Sequence, residues 1–249
     1  MTEPLLLSTT RLSTYLAGRL LTAATAFFFE RDDRLYAVTS RHVLHDEPSA
    51  HFPDRVELVL HVDTENLRRT EVLSLPLYHE GKAVWHQGVD SFGEVDVAVL
   101  EIDRTVISPD TVIRPFRPEH LQRSYDGVDV GERLLVVGFP LGFYDTVHHL
   151  PVVRHAIIAS SFGVRFQGEG YFLTDGRMHR GSSGAPVVMR RRDVPGDPMP
   201  WRLLGVHSGR MDMDTRDAAQ DETLGLNCAW YADMLMTLTH EDTGAGAAQ

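Results

Sequence analysis

The chain has 249 residues, 43% of them hydrophobic and 24% charged, and a formal charge of −11 at pH 7. That is globular composition with enough length to bury a substantial core, and the acid excess excludes broad electrostatic binding of nucleic acid, which needs a basic face. The single Cys228 excludes an intrachain disulfide and any multi-cysteine zinc or iron–sulfur site.

No segment reaches the roughly 18–20 uninterrupted apolar residues of a membrane span. A secretion signal has a basic start and an unbroken apolar centre. Here Glu3 stands near the start, and Arg11 and Arg19 interrupt the apolar stretch. Residues 1–21 are therefore expected to form an N-terminal arm. Within it, 5–20 should be a short helix or irregular, because Leu5, Leu6, Leu12, Tyr15, Leu16 and Leu20 roughly share a helical face. With no signal and no disulfide pair, a cytoplasmic location is expected, with neither membrane nor nucleic acid as a partner.

From about residue 22 the pattern is mostly strand. Thr22–Phe29 is rich in β-branched and aromatic residues, Arg31-Asp32-Asp33 makes a turn, and Arg34–Thr39 returns, which predicts a hairpin. Arg55–Val62 alternates, and Glu71–Tyr78 and Glu94–Ile102 are further strands. Residues 104–130 carry Pro109, Pro115 and Pro118, and 111–130 is expected to link two units. Strands resume at Glu132–Gly138, Val152–Ser160, Gly170–Thr174, Ala185–Arg190 and Arg202–Ser208. Arg190–Pro200 predicts an exposed loop, Asn227–Thr239 a terminal helix, and 241–249 a disordered tail. About ten short strands in two sets, with little helix, predict an all-β protein of paired barrels or a sandwich.

Three segments carry chemistry. Tyr36–Leu44 is an apolar strand running into His42. Glu94–Leu100 holds a lone acid, Asp96, at the start of an apolar strand. Gly181-Ser182-Ser183-Gly184-Ala185-Pro186 is a small-residue turn centred on a serine. A serine nucleophile needs a base within hydrogen-bond reach, an acid to fix the tautomer of that base, and backbone N–H donors for the oxyanion. Glycines flanking the serine let neighbouring N–H groups converge. The order His, Asp, Ser, with separations of 54 and 87 residues, suits three groups split across two units.

These segments resemble the trypsin-like (chymotrypsin-fold) serine peptidases, especially the bacterial kind without disulfides, over about residues 22–240. Gly-Ser-Ser-Gly-Ala-Pro is similar to the family's Gly-X-Ser-Gly-X-Pro, and Leu173-Thr174-Asp175 and Gly138-Phe139-Pro140-Leu141-Gly142 resemble the HtrA protease core. The resemblance implies two six-stranded antiparallel β-barrels, 22–110 and 131–240, with a short C-terminal helix. It also implies His42 as general base, Asp96 as orienting acid, Ser183 as nucleophile, and the N–H groups of Gly181 and Ser183 as the oxyanion hole. The partner is then a protein or peptide substrate, with room for a regulatory protein, and no cofactor or metal is implied.

Departures from the pattern are informative. Ser182 stands where animal digestive enzymes place the Asp that pairs with a new amino terminus, which argues against that zymogen switch. The 66 residues after Ser183 hold no PDZ-like segment. Leu204–Gly209 matches the strand beside the substrate, so His207, Ser208 and Gly209 are expected to bind substrate, together with Arg177, six residues before the nucleophile. Arg177 occupies the usual pocket base. His207 lies where glutamate-specific and viral 3C-type members place a pocket histidine, which implies cleavage after Glu or Gln. An α/β-hydrolase is excluded, because its histidine follows the serine and its helix–strand alternation is missing. His42 with His45, and the pair His148-His149, have spacings that could hold zinc, but are expected to be one catalytic histidine with solvated neighbours. The competing reading is a latent or non-catalytic trypsin-fold module that docks a partner.

Overall fold

A computed structural model describes residues 2–91, 93–122, 124–125, 127–191, 196–211 and 224–240. The first half contains α1 (Pro4–Leu7), β1 (Thr9–Leu16), β2 (Arg19–Arg31), β3 (Arg34–Thr39), α2 (Arg41–Leu44), β4 (Arg55–His61) and β5 (Thr70–Pro76). It continues with β6 (Tyr78–His79), β7 (Lys82–Ala83), β8 (Trp85–Asp90) and β9 (Gly93–Ile102). The second half contains β10 (Arg133–Gly138), β11 (Val152–Ile158), β12 (Tyr171–Asp175), β13 (Ala185–Arg190), β14 (Trp201–Arg210), β15 (Leu226–Tyr231) and α3 (Leu235–Leu238).

The first unit is a seven-stranded antiparallel sheet in the order β5-β4-β1-β2-β3-β9-β8, and β6 and β7 form a separate ribbon. The second unit is a closed six-stranded barrel in the order β10-β11-β12-β15-β14-β13. The expected chymotrypsin-like, mostly β architecture with a short C-terminal helix is what the chain adopts.

Two expectations about elements are corrected. Residues 9–21 are not an arm or a helix. β1 pairs with β2 from Thr9↔Phe27 to Leu16↔Arg19 and with β4 at Leu12↔Leu58, which is why the first unit has a seventh strand. Its leucines mimic helical spacing, but hydrogen bonds to two neighbouring strands outweigh that weak local preference. Likewise Asn227–Tyr231 is strand, paired with both β12 and β14, so helix begins only after the turn at 232–234. The proline-bearing stretch 104–122 is stitched to both units by bridges at Phe29↔Phe116, His61↔Val112 and Leu121↔Leu203. The loop expected over 190–200 lies partly, and the tail 241–249 wholly, outside the described residues.

Period-two alternation builds the core. Phe27 and Phe29 face the seam between the units with Val97, Val99, Val137, Val206 and Trp230, whereas Phe28, Ala98 and Leu100 face the interior of the first unit. That explains why Phe27-Phe28-Phe29 and Val97–Leu100 are apolar without interruption: both faces of these strands are buried. α3 inserts Leu235 and Leu238 into the same seam. The seam therefore holds β2 of one unit against β10 and β13 of the other, and β9 against β14 and β15.

Candidate active site

β3 runs directly into the single turn of α2, in which Val43 and Leu44 are buried in the core of the first unit. Burying those two residues leaves His42 facing the second unit. Asp96 lies near the start of β9, the strand paired with β3. One carboxylate oxygen, Oδ1, accepts the backbone N–H of His42 at 2.8 Å, and the other, Oδ2, lies 2.7 Å from His42 Nδ1. Oδ2 also accepts the hydroxyl of Ser208. An ionised carboxylate only accepts, so Nδ1 carries the ring proton. The lone pair on Nε2 then faces Ser183 Oγ, 3.0 Å away.

Burial pushes the pKa of His42 down, but its hydrogen bond to Asp96 and the charge of that carboxylate outweigh burial, so the net shift is upward. Burial pushes Asp96 up, yet the hydrogen bond and charge of His42, together with the Ser208 hydroxyl, hold it below the ordinary carboxylate value. The pair is arranged to keep Asp96 ionised and to favour positive charge on His42.

Ser183 sits in the turn between β12 and β13. Two of its neighbours adopt backbone that side-chain-bearing residues avoid: Gly181 has φ +89° and Gly184 φ +83°. A Cβ on Gly181 would lie 2.5 Å from the carbonyl oxygen of Phe139. The N–H of Leu141 donates to the carbonyl of Arg180 at 2.6 Å. Because the peptide is planar and trans, the N–H of Gly181 points the opposite way. Among the described residues, neither that N–H nor the N–H of Ser183 has a protein acceptor. Two free donors therefore flank the hydroxyl that faces His42, which is the arrangement an oxyanion needs.

The remaining sequence-derived candidates divide. Ser208 lies beside this cluster, but its hydroxyl is engaged by Asp96. Gly209 is half-buried next to a bulge in the β14–β15 pairing. Arg177 is exposed, and its carbonyl accepts from the Arg154 side chain at 2.7 Å. His207 is 2% exposed, between Ala185 and Ala229 in the strand register, and its Nδ1 is buried without a partner. Its carbonyl accepts from Gly184 N–H at 2.8 Å and from Ser40 Oγ at 3.2 Å. His148 pairs with Asp145 at 2.7 Å. Among the described residues no group of three or more His, Cys, Asp or Glu is placed to hold a metal ion. Sequence reasoning missed the bond of Ser208 to Asp96. It also missed every contact of Thr25, a residue with no motif around it.

Burial, with the nearby charge of His42 adding to it, pushes the pKa of His207 down to about 4. The unfolded chain takes up that proton near the ordinary value of about 6.5. Stability from a neutral His207 is thus complete above about pH 6.5 and is lost progressively toward pH 4, a total of about 3 kcal/mol. Denaturant unfolding of wild type and His207→Leu across that range should show a steeper acid loss in the wild type; parallel curves would contradict the assignment.

The model of the trypsin-like peptidase domain family matches residues 24–196. No curated protein is a match to the sequence. Two solved structures are similar over most of the chain. One is the HtrA-type protease AlgW bearing a serine-to-alanine change, with a tripeptide: TM-score 0.55, 18% identity, covering 94% of this chain and 61% of that one. The other is a serine endoprotease from Yersinia pestis: TM-score 0.53, 14% identity, covering 93% of this chain and 61% of that one. This chain thus spans about three fifths of the length of each, and at such identities the likeness is one of fold. The family match extends over more than half of the residues and includes all three members of the His42, Asp96, Ser183 cluster, so the chain belongs to the trypsin-like peptidase domain family.

Proposed function

We propose that the protein is a serine endopeptidase that cleaves peptide bonds through His42, Asp96 and Ser183. Ser183 Oγ attacks the scissile carbonyl as His42 Nε2 takes its proton. The carbonyl oxygen becomes an oxyanion held by the N–H groups of Gly181 and Ser183, while Asp96 stabilises the imidazolium. His42 then protonates the leaving amine. The resulting ester on Ser183 is hydrolysed by a water that His42 deprotonates, and the proton returns to Oγ as the acid product leaves. The observation that carries this reading is the continuous line from Asp96 Oδ2 to His42 Nδ1 at 2.7 Å and from His42 Nε2 to Ser183 Oγ at 3.0 Å. The two free N–H groups beside Ser183 favour an active arrangement over a latent or binding-only module. Incubation with a proteome-derived peptide library tests it. Wild type should generate internal cuts and Ser183→Ala none; equal patterns from both proteins would refute it.

For the residue before the cut we propose glutamine or glutamate. His207 precedes Ser208 on β14, its carbonyl accepts the N–H of Gly184 next to Ser183 at 2.8 Å, and its Nδ1 is buried without a partner. An imidazole can donate to an amide or a carboxylate side chain. The same library reports this preference directly, and a bias to Arg, Lys or large apolar residues would exclude it.

The protonation state of His42 sets the pH dependence. The base must be neutral, and its pKa is raised above the usual value. The acid limb of kcat/KM should therefore fall as pH drops through an apparent pKa above about 6.5. A limb centred well below 6.5 would mean that Asp96 does not govern His42.

A further inference from the structure

The turn that presents the two free N–H groups is shaped by where its carbonyls go. Four successive carbonyl oxygens, from Arg180 to Ser183, are each taken by a donor. Leu141 N–H holds Arg180, and Ala185 N–H holds Ser182 at 2.9 Å. The other two are held by one residue of the first unit. Thr25 Oγ1 donates to the carbonyl of Gly181 at 2.7 Å, and Thr25 N–H donates to the carbonyl of Ser183 at 3.0 Å.

Thr25 is 0% exposed and lies on β2, far from Ser183 in sequence. Its hydroxyl also accepts the N–H of Phe139 at 3.1 Å, so one oxygen ties the nucleophile turn to the 139–142 segment. Its own carbonyl accepts from Thr39 Oγ1 at 2.8 Å, only three residues before His42. Its neighbour across the seam is a glycine, Gly138, on which a Cβ would approach Thr25 Oγ1 to 2.5 Å. Thr25 of the first unit thus holds two carbonyls of the nucleophile turn, one through its side chain and one through its backbone.

From this geometry we infer that Thr25 is a positioning residue for the oxyanion hole. It touches no reacting atom. Its hydroxyl fixes the orientation of the Gly181–Ser182 peptide and seats the 139–142 segment, which in turn holds the Arg180–Gly181 peptide with its N–H aimed beside Ser183. Without the hydroxyl, the Gly181 carbonyl and the Phe139 N–H lose a buried partner, and both peptides on either side of Gly181 gain freedom to rotate. Because the oxyanion exists only after attack, the loss should fall on kcat and not on KM. The inference rests on the peptidase reading above.

The test compares Thr25→Val, which keeps the shape and removes the hydroxyl, with Thr25→Ser, which keeps the hydroxyl. The substrate is the best peptide from the library, with rates normalised to folded protein. Two inhibitors of that same sequence are added: a peptide aldehyde, whose adduct with Ser183 places an oxygen in the hole, and the corresponding peptide alcohol, which binds without one. Thr25→Val should lower kcat about 10–100-fold and weaken the aldehyde by a similar factor. KM and alcohol affinity should stay within about twofold, and Thr25→Ser should restore most of the rate. If Thr25→Val does not fold, Thr25→Ala takes its place in the same comparison. Undiminished kcat, or equal weakening of aldehyde and alcohol, would overturn the role of Thr25 alone, provided wild type cuts the peptide and Ser183→Ala does not. A wild type that fails to cut it would overturn the peptidase reading and this inference together.

Discussion

Asp96→Asn is expected to lower kcat/KM about 10⁴-fold while leaving the fold intact. The reason lies in the asymmetry of what surrounds the carboxylate. Oδ1 faces the backbone N–H of His42, which can only donate. An asparagine must therefore place its amide oxygen there and its NH₂ where Oδ2 was, against His42 Nδ1. Nδ1 becomes the acceptor, the ring proton moves to Nε2, and the nitrogen facing Ser183 can no longer take a proton. A backbone amide thus selects the wrong tautomer. Steady-state rates on the best library peptide check this, with circular dichroism as the control for folding. A loss of less than tenfold would show that Asp96 does not set the tautomer.

The second large effect is on stability. In Gly184→Ala the new Cβ would overlap the carbonyl oxygen of Thr25 and the hydroxyl of Thr39, and would lie 2.9 Å from the Cα of Thr39. Backbone and β-strand atoms cannot swing aside as a flexible side chain can. Overpacking of this kind costs about 1–3 kcal/mol, and a left-handed backbone at a residue bearing a Cβ adds about 1–2 kcal/mol. A total of about 4 kcal/mol should lower Tm by roughly 10–15 °C for a chain of this size. Gly18→Ala is the control. Its φ of +82° is almost the same, yet nothing lies within 4 Å of the added atom. It should cost only about 1–2 kcal/mol. Equal losses in the two variants would mean that the close approach between the units at Gly184 is not what makes glycine necessary there.

How far the sequence reveals this molecule depends on whether a feature is written locally. His42, Asp96 and Ser183 stand in short segments whose residue types each serve one chemical need, and the structure brings the three side chains together. The hairpin of β2 and β3 is equally local, since Asp32-Asp33 closes a two-residue turn between Arg31 and Arg34. β1 and β15 are not local. Leu5, Leu12, Leu16 and Leu20 have helix-like spacing, and only pairing with β2 and β4 makes residues 9–16 a strand. Trp230 and its neighbours appear helical until β12 and β14 close around them. Thr25 is one threonine in a β-rich run, and its partners lie 114 and 156 residues away. Resemblance places Ser208 on the substrate strand, whereas its bond to Asp96 spans 112 residues and carries no sequence signal.

The central claim is that His42 makes the hydroxyl of Ser183 nucleophilic. Treating the protein with a fluorophosphonate and mapping the adduct by peptide mass spectrometry tests it most directly. One adduct per chain is predicted, located on Ser183, formed by wild type, and absent in both Ser183→Ala and His42→Ala. Labelling of another serine, or labelling of Ser183 that persists at the wild-type rate without the imidazole, would contradict the account.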